Sequence, residues 1–256
     1  VSTDAPLPTP PWAPRRRAAR AAEAKAPLTR EAIVAAALEI LDAEGLAGVS
    51  MRRVADRLDT GPASLYQHIA NKDDLLDQLL DHVIGEVELP EPDPDDWQGA
   101  LKQFLRNARA TLSAHRDVAY VTLGRIPTGP NALRSSERLL AIMRAGDVPE
   151  QVCAYAVDTL MLFVGAVAYE ESIQATSMGA TTEEAHAYVR QVHDYFASLP
   201  VDRFPNLVAL AGHVTRWEAG EDSRFEFGIS VQVGGVAALA EAARTGGGRG
   251  GGGPAA

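Results

Sequence analysis

Between Thr29 and Val83 the apolar residues recur at intervals of three and four, and each run opens on a short polar side chain and closes at a helix-breaking residue. Ile33, Ala37, Ile40 and Leu41 share one face of a helix predicted from about Arg30 to Glu44, capped by Thr29 and ended by Gly45. Behind Ser50 the pattern repeats at Val54, Ala55 and Leu58, which predicts a helix over about Met51 to Leu58. Asp59-Thr60-Gly61-Pro62 breaks it: Asp59 carries a sharp turn, and Pro62 suits the first position of a second short helix, Pro62–His68. Leu65 and Ile69 face Val54 and Leu58, which leaves Ala63, Ser64, Tyr66, Gln67 and His68 divided between support and solvent. Asn71 then caps a helix striped by Leu75, Leu76, Leu79, Leu80 and Val83. Four helices around one small core follow. The polar, aromatic-bearing face of the short helix is the surface that a groove-reading helix presents.

A Pro- and acid-rich break at Pro90–Asp96 marks the expected domain boundary. Helical patterning resumes over roughly 97–113, 116–123, 131–145, 150–175, 182–198 and 223–244, with a stop and restart at Gly146–Pro149. Val201–Gly220 is ambiguous and admits a short helix at Phe204–Leu210. Nothing reads as a sheet. The expected fold is therefore all-α, with a helix-turn-helix DNA-binding domain over 28–89, including its connecting fourth helix, and a second helical domain over 90–244. Val152–Val167 is almost wholly apolar apart from Asp158 and Thr159, and Phe225–Leu239 is similar, with Gly228, Gly234, Gly235, Ala237 and Ala238 allowing close approach. A chain of 256 residues rarely buries two such helices completely, so they are expected to meet symmetry mates in a homodimer.

Composition refines this outline at the ends. Residues 1–27 are rich in Pro, Ala and Arg and read as a disordered basic arm: either a solvated tail or an arm that adds phosphate or minor-groove contacts. Residues 245–256 form a glycine tract that lacks the strand and Lys-Ser/Thr of a phosphate-cradling loop, and read as a flexible tail. The net charge of −10 argues against a DNA partner until it is divided along the chain. Residues 1–72 hold ten Lys/Arg against eight Asp/Glu, whereas the remainder holds fourteen against twenty-six. Local positive charge thus falls on the proposed reader, at Arg52, Arg53, Arg57 and Lys72, while the acidic body discourages non-specific wrapping. One cysteine, Cys153, cannot form an intramolecular disulfide, and no long uncharged apolar run is present, so a cytoplasmic protein without membrane attachment is expected. Six scattered histidines lack metal-ligand spacing and no nucleophile motif is evident, which argues against an enzyme and for no metal or cofactor.

The order of cap, apolar helix, glycine, short helix, turn, short helix and long helix resembles the DNA-binding domain of the tetracycline-repressor (TetR) family. Leu65-Tyr66-Gln67-His68 followed by Asn71-Lys72 is the most specific local match. Asp96-Trp97-Gln98, Ser113-Ala114-His115-Arg116-Asp117, Leu123-Gly124 with Pro127-Thr128, and Arg224-Phe225-Glu226-Phe227-Gly228 extend the resemblance to the ligand-binding domain of the family's tetracycline-responsive members, over about Thr29–Leu239. The resemblance implies a homodimer that binds a palindromic double-stranded operator, usually as a repressor, and holds a small-molecule effector.

The tetracycline site itself does not carry over. The family's metal-binding histidine falls on Thr122, its partner-subunit glutamate on Tyr169, and its drug-contacting histidine and asparagine on Glu88 and Phe104. Glu170 and Glu171 adjoin Tyr169, so a register shift restores one carboxylate but not the histidine. An effector other than magnesium-tetracycline is expected. Its candidate lining is Phe104, Ala108, Thr122, Arg125, Arg138, Met161 and Tyr169, each also open to plain packing. Asp158 joins them, with a structural hydrogen bond as the favoured reading because a carboxylate in an apolar helix needs a partner or water.

At the DNA, Ser64 and Gln67 are the base-edge candidates, and Pro62 and Ala63 the apolar contacts to a thymine methyl or sugar. Ser50, Arg52, Arg53, Tyr66, His68 and Lys72 are the positioning candidates, His68 being equally readable as a buried polar support. Two other classes stay open: a constitutive DNA binder that acts through a protein partner, and a small helical enzyme.

Overall fold

Short polar side chains set where four of the helices begin. Thr29 Oγ1 accepts from Ala32 N (3.2 Å), Ser50 Oγ from Arg53 N (3.3 Å), Asn71 Oδ1 from Asp74 N (2.9 Å) and Asp96 Oδ1 from Gly99 N (3.0 Å). Each bond satisfies an N–H that the first turn of a helix leaves without an intrahelical partner. They open α1 (Arg30–Glu44), α2 (Met51–Arg57), α4 (Lys72–Ile84) and α5 (Trp97–Ala114), while α3 (Pro62–Leu65) begins on a proline at its first position. The computed structural model describes residues 27–123, 125–177, 182–215 and 223–246. The basic arm at 1–26 and the glycine tract from 247 lie outside the described residues.

The chain continues through α6 (Val118–Thr122), α7 (Pro130–Ala145), α8 (Glu150–Ser177), α9 (Thr182–Ala197), α10 (Pro205–Val214) and α11 (Ser223–Gly246). Among the described residues there is no strand, and the fold is all-α. In the N-terminal head, Ile33, Ala37 and Leu41 of α1, Val54 of α2, Leu65 of α3 and Leu75 and Leu79 of α4 are fully buried together. α4 then leaves α1 and runs on against α5, α6 and α7, which makes it the element shared between head and body. In the body, α5 lies at the centre and packs on α7, α8 and α11. Arg106 of α5 holds Glu226 of α11 through two bonds of 2.6 and 2.7 Å, and the guanidinium of Arg109 sits 4.6 Å from the centroid of the Phe225 ring.

Of the boundaries that differ from the sequence reading, three concern α3, α6 and α10. α3 stops at Leu65 instead of His68, because Gln67 N and His68 N bond to the carbonyls of Ser64 and Leu65, three residues back, and tighten the turn. α6 starts at Val118 and not at 116, because Asp117 adopts the left-handed region (φ 58). The ambiguous segment forms α10, which runs beyond Leu210 to Val214. Asp59 carries its turn at φ 49.

Candidate DNA-reading head and effector cavity

On the head, Pro62, Ala63, Tyr66 and Gln67 are exposed and Ser64 is half-buried, so α3 and the turn after it present one continuous outer surface. Tyr66 stands out with 55% of its surface exposed. Arg52 is open to solvent, its nearest acid being Asp56 at 4.0 Å, and Lys72 is exposed beside the α4 cap. His68 is half-buried, intermediate between the two roles expected of it.

Arg53 has an acidic partner on the preceding helix. Its guanidinium is bidentate to Glu44 of α1 and also donates to Gly48 O (3.4 Å), so it braces α2 against the preceding helix instead of standing free for a phosphate. The pair lowers the Glu44 pKa and raises that of Arg53, in both cases chiefly through the hydrogen bond between them. Arg57 is held in the same way by Glu39, with bonds of 3.0 and 2.5 Å. Of the four cations assigned to the reader, Arg52 and Lys72 remain available.

Within the body, α5, α7, α8, the end of α4 and the chain after α6 enclose a cavity of about 280 Å³. Phe104, Ala108, Thr122, Arg125, Asp158 and Met161 lie in its wall. Two other candidates do not. Arg138 turns away to Pro90 O (2.9 Å) and Glu91, and the Tyr169 ring lies 5.3 Å from that of Tyr120, outside the cavity. Asp158 also departs from expectation: it has no hydrogen-bond or ion-pair partner among the described residues, and it is exposed on the cavity side of α8.

Ile84, Val87, Ser135, Ser136 and Leu139 complete much of the wall and were not singled out from the sequence. The continuation of the α4 apolar stripe past Val83 was the available signal for Ile84 and Val87. The polar groups of the wall are few. Thr122 Oγ1 already donates to Ala119 O (2.7 Å), whereas the hydroxyls of Ser135 and Ser136 have no partner among the described residues. Those residues contain no group of three or more His, Cys, Asp or Glu side chains placed to share a metal ion. Cys153 is buried, donates to Val148 O (3.4 Å), and its thiol pKa is pushed up mainly by burial.

Among the contacts that tie the body to the head, two sets reach from the cavity side and from the chain before α6. Arg125, in the cavity wall, reaches the first turns of α4: Nη2 donates to Asp73 Oδ1 (2.9 Å), and Nη1 donates to Asp77 Oδ1 and, at 3.5 Å, to Asp73 O. The chain between α5 and α6 makes the second set. His115 Nδ1 meets Asp42 of α1 and Nε2 meets Glu86, each at 3.0 Å, while Asp117 Oδ2 accepts from Leu46 N (2.9 Å). Gly45 makes room for this contact: at φ 77 it occupies a conformation that side chains resist, and a Cβ there would lie 2.6 Å from Asp117 Oδ2.

Comparison with known proteins matches both halves of this arrangement. Residues 33–79 fit the family model of bacterial regulatory proteins, tetR family, and residues 89–240 that of the tetracyclin repressor-like C-terminal domain. An HTH-type transcriptional regulator of Saccharopolyspora erythraea is 33% identical over 83% of this chain and 86% of its own. The HTH-type transcriptional repressor DrrR1 of Streptomyces coeruleorubidus is 32% identical over 78% of this chain and 74% of its own. Among solved structures, ActR of Streptomyces coelicolor in complex with actinorhodin matches with a TM-score of 0.77 and 44% identity, covering 83% of this chain and 97% of that one.

Proposed function

The chain belongs to the TetR family of bacterial regulatory proteins, and from that premise we propose that it is a homodimeric repressor, released from a palindromic operator by an organic effector other than magnesium-tetracycline. Family membership makes it a DNA-binding transcriptional regulator, in a family of regulators and not of enzymes. The observation that carries the finer reading is the cavity whose wall, at Arg125, is bonded to the helix that enters the head. In this reading residues 28–89 are the head and 90–244 the body. Ser64 and Gln67 read base edges, Pro62 and Ala63 make apolar contacts, and Ser50, Arg52, Tyr66, His68 and Lys72 position the phosphates. Arg53 acts one step back, by fixing α2.

The apolar wall with a few unpartnered hydroxyls and one carboxylate suits a largely apolar organic molecule. Relatives support both halves of the reading: DrrR1 carries the name of a repressor, and ActR was crystallised with actinorhodin. At the position of the family's metal-binding histidine, Thr122 offers one hydroxyl already bonded within its own helix, which speaks against a metal-drug chelate. For the dimer, α8 and α11 leave Tyr155, Leu162, Phe227 and Val231 more than half exposed, an apolar surface of the kind that a second copy covers.

Release requires that the effector favour the conformation that binds DNA less well, since equal affinity for both would shift nothing. Gel-shift titration against the promoter region beside the protein's own gene tests the reading. A specific, salt-sensitive complex with one inverted repeat, dissolved by a small molecule that also raises Tm, is the expected outcome. Absence of any specific complex overturns it.

A further inference from the structure

Arg125 is the wall residue that faces two ways. It borders the effector cavity, and with Leu123 it also borders a separate groove of about 600 Å³ between body and head, lined from the head by Leu46, Asp73 and Leu76. Its side chain is 27% exposed, and its two carboxylate partners both lie on α4, within two turns of the Asn71 cap. A guanidinium carries five N–H donors in a fixed plane. Asp73 and Asp77 occupy the donors on Nη1 and one on Nη2, so Nε–H and the second Nη2–H have no partner among the described residues. Two unused donors on a guanidinium at the cavity wall can receive an oxyanion, because bonds from this charged fork to a carboxylate are charge-assisted even while Asp73 and Asp77 hold its other donors. The other polar groups of the wall, Asp158, Ser135 and Ser136, favour hydroxyls or other donors on the remainder of the ligand.

Resting on the reading of this cavity as the effector site, we propose that the effector is an organic acid whose carboxylate binds the free donors of Arg125. A third carboxylate on the same guanidinium repels those of Asp73 and Asp77 and loosens their hold on it. Binding in the body then changes contacts at the beginning of α4, the helix whose first residue is Lys72. Arg125 is thus both the determinant of ligand class and the positioning residue for the head.

Two readouts test this with the full chain. The probes are 1-naphthaleneacetate and its primary amide, which share a shape and differ in charge. By calorimetric titration without DNA, the acid is expected to bind the wild type roughly tenfold or more tightly than the amide. Arg125→Gln erases that preference while retaining the amide. Equal affinities on the wild type, failure of both probes to bind, or a preference that survives in Arg125→Gln each overturn the proposal. The second readout is operator affinity of the double variant Asp73→Asn/Asp77→Asn. Deleting two negative charges beside the proposed DNA face strengthens binding by electrostatics alone. The bridge from Arg125 requires the reverse: weaker operator binding and tighter acid binding. Stronger operator binding overturns the link to the head. If the wild type forms no specific operator complex at all, the repressor reading fails, whereas the acid preference is measured separately from it.

Discussion

His115 illustrates how a single side chain at the joint between head and body responds to solvent. Burial opposes its charged form, but hydrogen bonds to Glu86 and Asp42, reinforced by their charges, outweigh burial together and raise its pKa. Glu86 is also 3.9 Å from His82, so its charge is shared between two imidazoles. A raised folded-state pKa contributes stability that is fully present below the unfolded value of about 6.5 and is lost as pH climbs through the folded value. The Tm difference between wild type and His115→Gln is accordingly expected to be larger near pH 6 than near pH 9, and equal differences would mean an uncharged His115 in the fold. The cations of the head differ among themselves at the same scale. Lys72→Ala is expected to reduce the slope of log operator affinity against log salt by about one, the signature of one lost phosphate contact. Arg53→Ala is expected to lower Tm and leave that slope nearly unchanged. An equal loss of slope in both variants would return Arg53 to the DNA.

At the scale of elements, the starts of α1, α2 and α4 were legible because a cap is a local matter between a side chain and an N–H three residues on. The buried faces of α1 and α4 were legible for the same reason, since period alone specifies them. The end of α3 was not, because the sequence Tyr66-Gln67-His68 is compatible with both α-helical and tighter three-residue bonding. The cavity was legible in part. Phe104, Ala108 and Met161 sit on helices whose inner face the pattern identifies, whereas Arg138 and Tyr169 share such faces but point to partners set by tertiary packing, Pro90 and Tyr120. The hydrogen bond expected for Asp158 is absent among the described residues, because one side of α8 is open in the single chain. That open side leads to a prediction for α8 and α11. Leu162→Glu and Val231→Glu, at positions 52% and 56% exposed, are expected to convert a dimer to monomers in sedimentation at micromolar concentration while leaving helical content intact. Monomers in the wild type would remove the symmetric reading of the operator.

For the whole molecule, α4 packs both on α1 in the head and on α5, α6 and α7 in the body. A tilt of α4 therefore moves the reading surface as a unit, because α2 and α3 share its buried core through Val54, Leu65 and Leu75. Crystal structures with effector and with operator are expected to differ in the separation of the two heads, and an unchanged separation would rule out this path of transmission. The clamping of Arg53 by Glu44 and of Arg57 by Glu39 bears on how such a protein finds its target. Where those pairs persist on DNA, fewer counterions are released on random sequence, and non-specific binding is expected to fall off more gently with salt than the four cations of the head would suggest, which a salt titration on random DNA measures.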